Sequence, residues 1–254
     1  MDKTLLKGLS VLEAVVNLQG EALTIDALAE QLGLTRSNTH RTLQTLVHAG
    51  YIERDPQQGG YRGTVKLFEL GSRSLRKLDV RKLAQPFMEQ LLRETSETVH
   101  LSVLDGLEVV YVEKLDGVLP IRAYTSLGSR APAYAVATGK ALLSVQPETY
   151  LDLFKDRFQR YTKLTISDIE GLKKDSRKAL SQGYAVNRGE WREGVGGVAS
   201  AVFDGAGSPV AALGISGPME RLGPASIKGY GPLVRKTAAA LSAAMGFRGQ
   251  APGL

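Results

Sequence analysis

The chain contains no cysteine, which excludes disulfides, thiolate metal sites and a thiol-based redox sensor. No apolar run reaches the roughly 18 residues that signal a transmembrane helix. The start, Met1-Asp2-Lys3-Thr4, lacks the charged-then-apolar layout of a secretory signal, so a cytoplasmic protein without a membrane partner is the expectation. Histidine is sparse too: beyond residue 78 only His100 occurs. It sits in an alternating pattern that predicts a strand, where a hydrogen-bonded packing role is the ordinary reading. No His, Asp and Glu cluster has metal-ligand spacing. Gly214-Ile215-Ser216-Gly217-Pro218 lacks the G-x-S-x-G order and following helix of a nucleophile elbow. Gly139-Lys140-Ala141 lacks the upstream glycine and the Ser/Thr of a phosphate-binding loop. The sequence thus offers no catalytic constellation, metal site or cofactor motif, and no internal repeat or low-complexity segment.

One further absence points to a function. From Thr35 to His48 there is no acidic residue, while Arg36 and Arg41 are cationic. A segment that lies against phosphates needs that bias. The flanking pattern is that of a winged helix-turn-helix. A first helix is predicted from Thr24, a hydroxyl able to cap free N–H groups, through Ala27, Leu28, Ala29 and Leu32. Gly33 supplies the turn, Thr35 caps the second helix, and Gly50 stops it after about His48. At about 100° per residue, Thr39, Leu43, Leu46 and Val47 face inward. Ser37, Asn38, Arg41, Gln44, Thr45 and His48 face outward. A hairpin follows, with Tyr51–Arg54 and Tyr61–Thr64 flanking the turn-rich run Asp55-Pro56-Gln57-Gln58-Gly59-Gly60. A second helix of this kind is typically presented to the major groove of double-stranded DNA. The candidate DNA contacts are Thr35, Arg36, Ser37, Asn38, His40, Arg41 and Thr45, with Arg54 and Arg62 of the hairpin beside the groove. Arg41 is assigned to phosphate, and Ser37 and Asn38 to base edges. An amphipathic helix with a merely solvated polar face is the alternative for the helix alone; the hairpin favours DNA.

The bulk charge agrees but is not concentrated there. The net charge of the 254 residues is +6, which suits a polyanionic partner. Yet residues 1–78 carry 10 Lys and Arg against 8 Asp and Glu, a net +2. The local absence of acids therefore matters more than the total.

The expected organisation is a winged helix-turn-helix domain over 1–65, a linker helix over 66–78 and a second domain over 79–254. A first helix over 4–19 places Leu5, Leu9, Leu12 and Val16 on one stripe. Lys66 to Leu78 reads as a helix able to transmit orientation, which a floppy tether cannot. In the second domain a helix over 79–96 turns Leu83, Phe87, Leu91 and Leu92 inward. Strands are predicted at 98–104, 108–114, 120–125, 184–188, 197–203 and 210–216. Helices are predicted at 135–145, 149–158, 167–182 and 224–245, with a frayed tail after Gly246. Strands between helices imply a mixed α+β domain with a mostly antiparallel sheet. Glycine is dense at the strand ends, at Gly189, Gly194, Gly196, Gly197, Gly214 and Gly217, as close approach of a ligand or another segment requires. Thr138, Asn187 and Ser216 would serve a pocket for a small polar ligand; tight turns in a crowded sheet are the bland alternative.

Nearly the whole chain resembles the IclR family of bacterial transcriptional regulators. The resemblance rests on the run Leu34 to Leu43, on Gly50-Tyr51-Ile52, on Lys66-Leu67-Phe68-Glu69-Leu70-Gly71 and on Ala137-Thr138-Gly139-Lys140-Ala141. It continues through Gly183–Asn187, Glu190–Val195, Ala199–Asp204 and Ala212–Pro218. It implies a GAF-like effector-binding domain, a small organic acid as effector, and homodimers or homotetramers on near-palindromic operators. Around the linker the chain looks closest to regulators of sugar-acid breakdown of the 2-keto-3-deoxygluconate-responding (KdgR-like) kind. By this resemblance the effector contacts are Ala137, Thr138, Asn187, Gly197, Gly214 and Ser216. Asn187 stands where Asp or Ser is usual, Gly197 where Cys, Ser or Ala is usual, and Gly214 where Ser is frequent. Tyr134 replaces a common His. The two glycines imply added room, hence a ligand larger than, or oriented differently from, glyoxylate or pyruvate. The resulting expectation is a repressor of a catabolic operon controlled by a sugar acid or 2-oxo acid. A ligand-dependent activator of aromatic-acid catabolism is the alternative. Two others are an enzyme acting on a small acid, against which the missing base and metal ligands argue, and a ligand-blind oligomerisation module.

Overall fold

Two threonine caps set the geometry of the first part of the chain. In the computed structural model, which describes residues 2–17, 24–55, 60–75, 79–122 and 125–249, Thr24 Oγ1 accepts from Ala27 N at the start of α2 (Ile25–Gln31). Thr35 Oγ1 likewise accepts from Asn38 N at the start of α3 (Arg36–His48). Between them Gly33 turns the chain at φ +61°, and Gly50 does so after α3 at φ +75°, conformations that favour glycine. The hairpin β1 (Ile52–Arg54) and β2 (Tyr61–Gly63) follows in antiparallel register. With α1 (Lys3–Asn17) these elements enclose a core of Val11, Ala14, Val15, Leu28, Leu43, Ile52 and Tyr61. They belong to one compact unit, Met1–Lys77, and the remainder, Leu78–Leu254, forms a second.

Two inward faces differ from expectation. On α1 the buried residues are Val11, Ala14 and Val15, while Leu5 and Leu9 are exposed. The core meets only the C-terminal half of this helix, so apolar spacing alone misplaced the stripe. Val47 of α3 is also exposed, whereas Thr39 and Leu43 are fully buried. The expected linker helix is α4 (Val65–Leu75). The predicted positions 76–78 lie outside the described residues, as do 18–19 of the first helix and 56–59 of the hairpin loop. The start of α4 is tied down by Lys66, whose Nζ donates to Ala49 O at 2.6 Å and lies 4.5 Å above the Tyr51 ring. It thereby satisfies a carbonyl at the C-terminus of α3, where a cation is favoured.

In the second unit, α5 (Asp79–Thr95) leads into β3 (Thr98–Asp105), β4 (Glu108–Leu115) and β5 (Arg130–Pro132). A 3-10 turn at Ala133–Ala135 precedes α6 (Ala137–Ser144), then α7 (Glu148–Leu151) and α8 (Ile169–Gln182). The chain ends with β6 (Ala185–Arg188), β7 (Val195–Phe203), β8 (Pro209–Pro218) and α9 (Pro224–Ala244). The strands form one antiparallel sheet in the order β5-β4-β3-β8-β7-β6. The mixed α+β class expected from the sequence is therefore the class found. No helix among the described residues is long and apolar enough to cross a membrane.

Alternation along the strands divides the sheet into two unlike faces. Val99, Leu101, Val198, Val202, Leu213 and Ile215 pack with Val80, Ala84, Met88 and Leu91 of α5 and Val234, Ala238 and Leu241 of α9. Leu83, expected inward on α5, is exposed instead. The opposite face carries small residues, among them Ala199 and Ala212, and packs with Ala137, Ala141, Leu142 and Leu143 of α6 and Leu172 and Ala179 of α8. A Cβ at Gly214 would lie 2.6 Å from the Ala199 Cβ, and one at Gly139 would collide with the Ala133 backbone. Glycine thus lets β8 lie close to β7 and α6 lie close to the 3-10 turn, and a Cβ at Gly197 of β7 would lie 3.3 Å from the Ala137 methyl of α6.

Two local expectations fail for physical reasons. No strand forms at Pro120–Arg122 (123 and 124 lie outside the described residues), because β5 takes the free edge of β4. Side chains occupy carbonyls in and beside that loop, as Arg221 Nη2 donates to Ile121 O at 2.7 Å and Arg122 Nη1 to Gly117 O. The helix expected over 149–158 is only α7 and a 3-10 turn at Asp152–Phe154. Of the tail expected to fray after Gly246, Phe247 stacks on Phe203 with centroids 5.1 Å apart, and residues 250–254 lie outside the described residues. Gly139→Ala should cost about 1–3 kcal/mol by overpacking, read as a lower urea midpoint; an unchanged midpoint would refute the close seating of α6.

Candidate functional site

The outward face of α3 is a polar surface without a carboxylate. Ser37, Asn38, Arg41, Gln44, Thr45 and His48 are exposed on it, as expected. The two cations of the helix are not equivalent. Arg36 Nη1 is 2.5 Å from Asp26 Oδ2 of α2, whereas no ion pair among the described residues involves Arg41. Thr35 is spent as the cap, and Thr45 Oγ1 donates back to Arg41 O at 3.0 Å. His40 is half-buried, its Nε2 3.5 Å from Gln44 Nε2. In the hairpin Arg62 Nε bonds Glu53 Oε1 across the strands at 2.8 Å, and the Arg54 guanidinium lies 5.9 Å from the Tyr61 ring centroid. Exposed pairs of this kind are worth little, about 0–1 kcal/mol, and exchange readily for a phosphate.

The second unit holds a cavity of ≈ 50 Å³ between the start of α6 and strands β3, β6, β7 and β8. Five of the six residues expected to meet a ligand line it: Ala137, Thr138, Asn187, Gly197 and Ser216. Gly214 does not line it. The Ala199 Cβ and the Val198 carbonyl, both 2.6 Å from a built Cβ, fill the space a side chain would need there. Gly197 adds no room either, since a Cβ on it would lie 3.3 Å from the Ala137 methyl and 3.0 Å from Ile215 O. Gly214 serves close pairing of β8 with β7, and Gly197 the packing of β7 against α6. Tyr134 points away from this cavity, with its hydroxyl donating to Gln159 O and accepting from Gln159 N.

The start of α6 presents donors. Its N-cap is Val136, and no side chain caps it, so the first N–H groups lack intrahelical acceptors. Thr138 Oγ1 is buried there and has no hydrogen-bond partner among the described residues. Uncapped N–H groups, the positive end of the helix and a free hydroxyl together favour an anion. Asn187 adds an amide of fixed orientation. Its Oδ1 accepts from Gly189 N and Glu190 N, both at 3.0 Å, which leaves the Nδ2 hydrogens as its remaining polar group. An Asp at this position would put a charge of the wrong sign in the cavity.

Several lining residues were not among the expected ligand contacts. His100, Tyr111 and Thr125 come from β3, β4 and the segment before β5, and Trp191 and Arg192 from the loop after β6. The Arg192 guanidinium lies 4.4 Å from the Trp191 ring centroid. Burial pushes the Tyr111 phenol up to about 12, against the pull of Arg192. Burial, helped by the Lys114 charge, holds His100 down at about 3, so its imidazole is neutral at physiological pH. The isolated His100 does have the hydrogen-bonded role read from the sequence, but it also lines the cavity.

Lys140 holds these parts together. Its side chain is 1% exposed, and Nζ reaches Val186 O at 2.8 Å, Glu190 Oε1 at 2.8 Å and Asp175 Oδ2 at 2.9 Å. Glu190 in turn accepts from Arg188 N through Oε2, while its carbonyl accepts from Thr165 Oγ1. One ammonium thus fixes α6, α8 and the loop that follows Asn187.

Two measurements test this arrangement. Lys140→Met leaves buried carboxylate unpaired and should cost about 3–5 kcal/mol; urea denaturation reads it, and a loss under 1 kcal/mol would refute the role given to Lys140. The unfolded chain protonates its histidine near pH 6.5, whereas folded His100 stays neutral down to about 3. Its stabilising contribution is therefore complete above pH 6.5 and is lost as pH falls towards 3. In this window the stability slope of His100→Phe should be shallower than that of the wild type, by at most about 1.4 kcal/mol per pH unit. Superimposable slopes would contradict the neutral imidazole.

Comparison with known proteins agrees with both units. Residues 4–56 match the IclR helix-turn-helix domain, and residues 72–243 match the bacterial transcriptional regulator IclR C-terminal domain. The chain is 34% identical to the HTH-type transcriptional repressor AllR of Klebsiella pneumoniae, over 96% of this chain and 90% of that one. It is 33% identical to the HTH-type transcriptional regulator XynR of Escherichia coli (strain K12), over 95% and 96% of the two chains. Identity to the regulator KdgR of the same organism is also 33%, over 88% and 86%. Among solved structures, an IclR homolog from Microbacterium hydrocarbonoxydans complexed with 4-hydroxybenzoate superposes with a TM-score of 0.83 at 25% identity, covering 96% of this chain and 99% of that one. With a helix-turn-helix at one end and an effector-type α+β domain at the other, the chain belongs to the IclR family of bacterial transcriptional regulators.

Proposed function

We propose that the protein is a repressor of a catabolic operon, released from or fixed on its operator by a small organic acid bound in the second unit. The observation that carries this reading is the buried, unpartnered Thr138 hydroxyl beside the uncapped start of α6, both in one cavity. A carboxylate fits that corner, and Asn187 and Ser216 are placed for the rest of a polar ligand. The cavity volume of ≈ 50 Å³ suits an acid of a few heavy atoms. The name of the Klebsiella relative, a repressor, favours the same sign here.

On the DNA side, Arg41 contacts phosphate and Ser37 and Asn38 read base edges. Arg36, Thr35, His40, Thr45, Arg54 and Arg62 contribute at the margins of that contact. The protein acts as a homodimer or homotetramer, a role for which the exposed Leu5, Leu6 and Leu9 of α1 are suited. It is a sensor and not an enzyme. Lys66, bonded to the end of α3 and stacked on Tyr51, makes α4 the element through which the sensor acts on the DNA reader. The effector must bind the DNA-competent and DNA-incompetent states unequally, since equal binding shifts nothing.

A thermal-shift panel of sugar acids, 2-oxo acids and aromatic acids tests the sensor. A ligand at 100 times its Kd adds about 2.7 kcal/mol of stability; a panel flat for every acid would overturn the reading. For the DNA reader, Arg41→Ala is compared with wild type on a duplex selected by the wild-type chain from random sequences. Affinity should fall and the salt slope should drop by about 1. An unchanged slope would remove Arg41 from the phosphate contact.

A further inference from the structure

We infer that Thr64 and Lys66 are positioning residues of the DNA reader, which lock the end of α3 to the start of α4 and so set the angle of α3 in the groove without touching DNA themselves. This role rests on α3 being the recognition helix, as proposed above. The end of α3 is closed by glycine. Gly50 N donates to Val47 O at 2.9 Å and Tyr51 N to Leu46 O at 3.0 Å, the paired bonds of a Schellman motif. The carbonyls that follow, of Ala49, Gly50 and Tyr51, lie beyond those bonds. All three are met by the two residues that flank Val65. Lys66 Nζ donates to Ala49 O at 2.6 Å. Thr64 Oγ1 donates to Gly50 O at 2.6 Å, and Thr64 N to Tyr51 O at 3.0 Å.

The stem of Lys66 passes over Gly50, where an added Cβ would lie 3.8 Å from Lys66 Cδ, and the ammonium sits 4.5 Å from the Tyr51 ring centroid. The negative end of α3 therefore faces an ammonium and the positive end of α4, and each contact is favourable. Ile52 opens β1 and Gly63 closes β2, so the same joint also orients the hairpin that carries Arg54 and Arg62. With three successive carbonyls held from α4, α3 has no freedom to turn apart from it. Hydrogen bonds to base edges need a defined helix angle, whereas attraction to phosphate depends mainly on charge. Loosening the joint therefore costs sequence discrimination first and general DNA affinity last.

The test compares Thr64→Val and Lys66→Met with wild type, as full chains, on the duplex selected by the wild-type chain and on a scrambled duplex of equal length. Thr64→Val keeps the shape of the side chain and changes no charge. Each variant should bind the selected duplex about fivefold more weakly or worse. Affinity for the scrambled duplex should change by less than about twofold, which also shows that the reader is folded. The salt slope on the selected duplex should stay within about 0.3 of wild type, whereas loss of a direct phosphate contact lowers it by about 1. Lys66→Arg, which keeps a cation over Tyr51 and a donor for Ala49 O, should recover most of the discrimination. Unchanged discrimination in both variants, equal losses on the two duplexes, or a slope lowered by about 1 in Lys66→Met would each overturn the inference and leave α3 as the reader. Failure of the wild-type chain to enrich any duplex from the random pool would overturn the reading of α3 together with it.

Discussion

The ammonium of Lys140 is the group on which the second unit depends. A charge that deep is costly unless its partners are close and complete, and here a carbonyl and two carboxylates surround it. Those partners come from β6, from α8 and from the loop after β6, so satisfying one side chain fixes four segments. The same loop carries Trp191 and Arg192 to the cavity and gives Asn187 the two N–H groups that orient it. Removing the charge would free the floor of the cavity as well as weaken the fold. The A-x-G-K-A run that opens α6 has a physical division of labour. Gly139 permits contact with Ala133, Lys140 anchors, and Thr138 is left facing the space between.

The asymmetry of the sheet serves the same end. One face carries Val, Leu and Ile and packs with α5 and α9. The other carries Ala, Gly and Ser and admits α6 at close range. Small side chains bury less area, and area is what stabilises, at about 25 cal/mol per Å². What this face gains is the approach of a helix N-terminus and its donors to the middle of a sheet. Donors of that kind, a neutral histidine and an oriented amide are the electrostatic basis of the small-anion site proposed above.

In the first unit the constraint is of another kind. Two short helices and a three-residue hairpin bury little, and their geometry comes from caps and turns at Thr24, Gly33, Thr35 and Gly50. The recognition surface is defined by what it excludes. With no carboxylate on the outer face of α3, no ion pair among the described residues involves Arg41, while Asp26 and Glu53 hold Arg36 and Arg62 in place.

Much of this was legible in the sequence because it is local. Caps, glycine turns, an acid-free helix and the change from helical to alternating period are set by neighbouring residues, and they located α2, α3, the hairpin and most strands. Family motifs named five of the residues that line the cavity. Other features depend on partners distant in the chain. Leu5, Val47 and Leu83 have apolar spacing but no core to meet, and the expected strand over 120–125 lost its place to β5. Gly214 read as an opened pocket, yet the Ala199 methyl and the Val198 carbonyl fill it. His100 gave no functional signal, because its bonds to Ser216 and Thr125 span 116 and 25 residues. The sequence by itself determined the two domains, the reader of DNA and the α+β class, since these follow from short-range propensity and charge. Only the tertiary structure decided which side chains share the cavity, because burial and hydrogen bonding there are fixed by strands and helices that meet across the whole second unit.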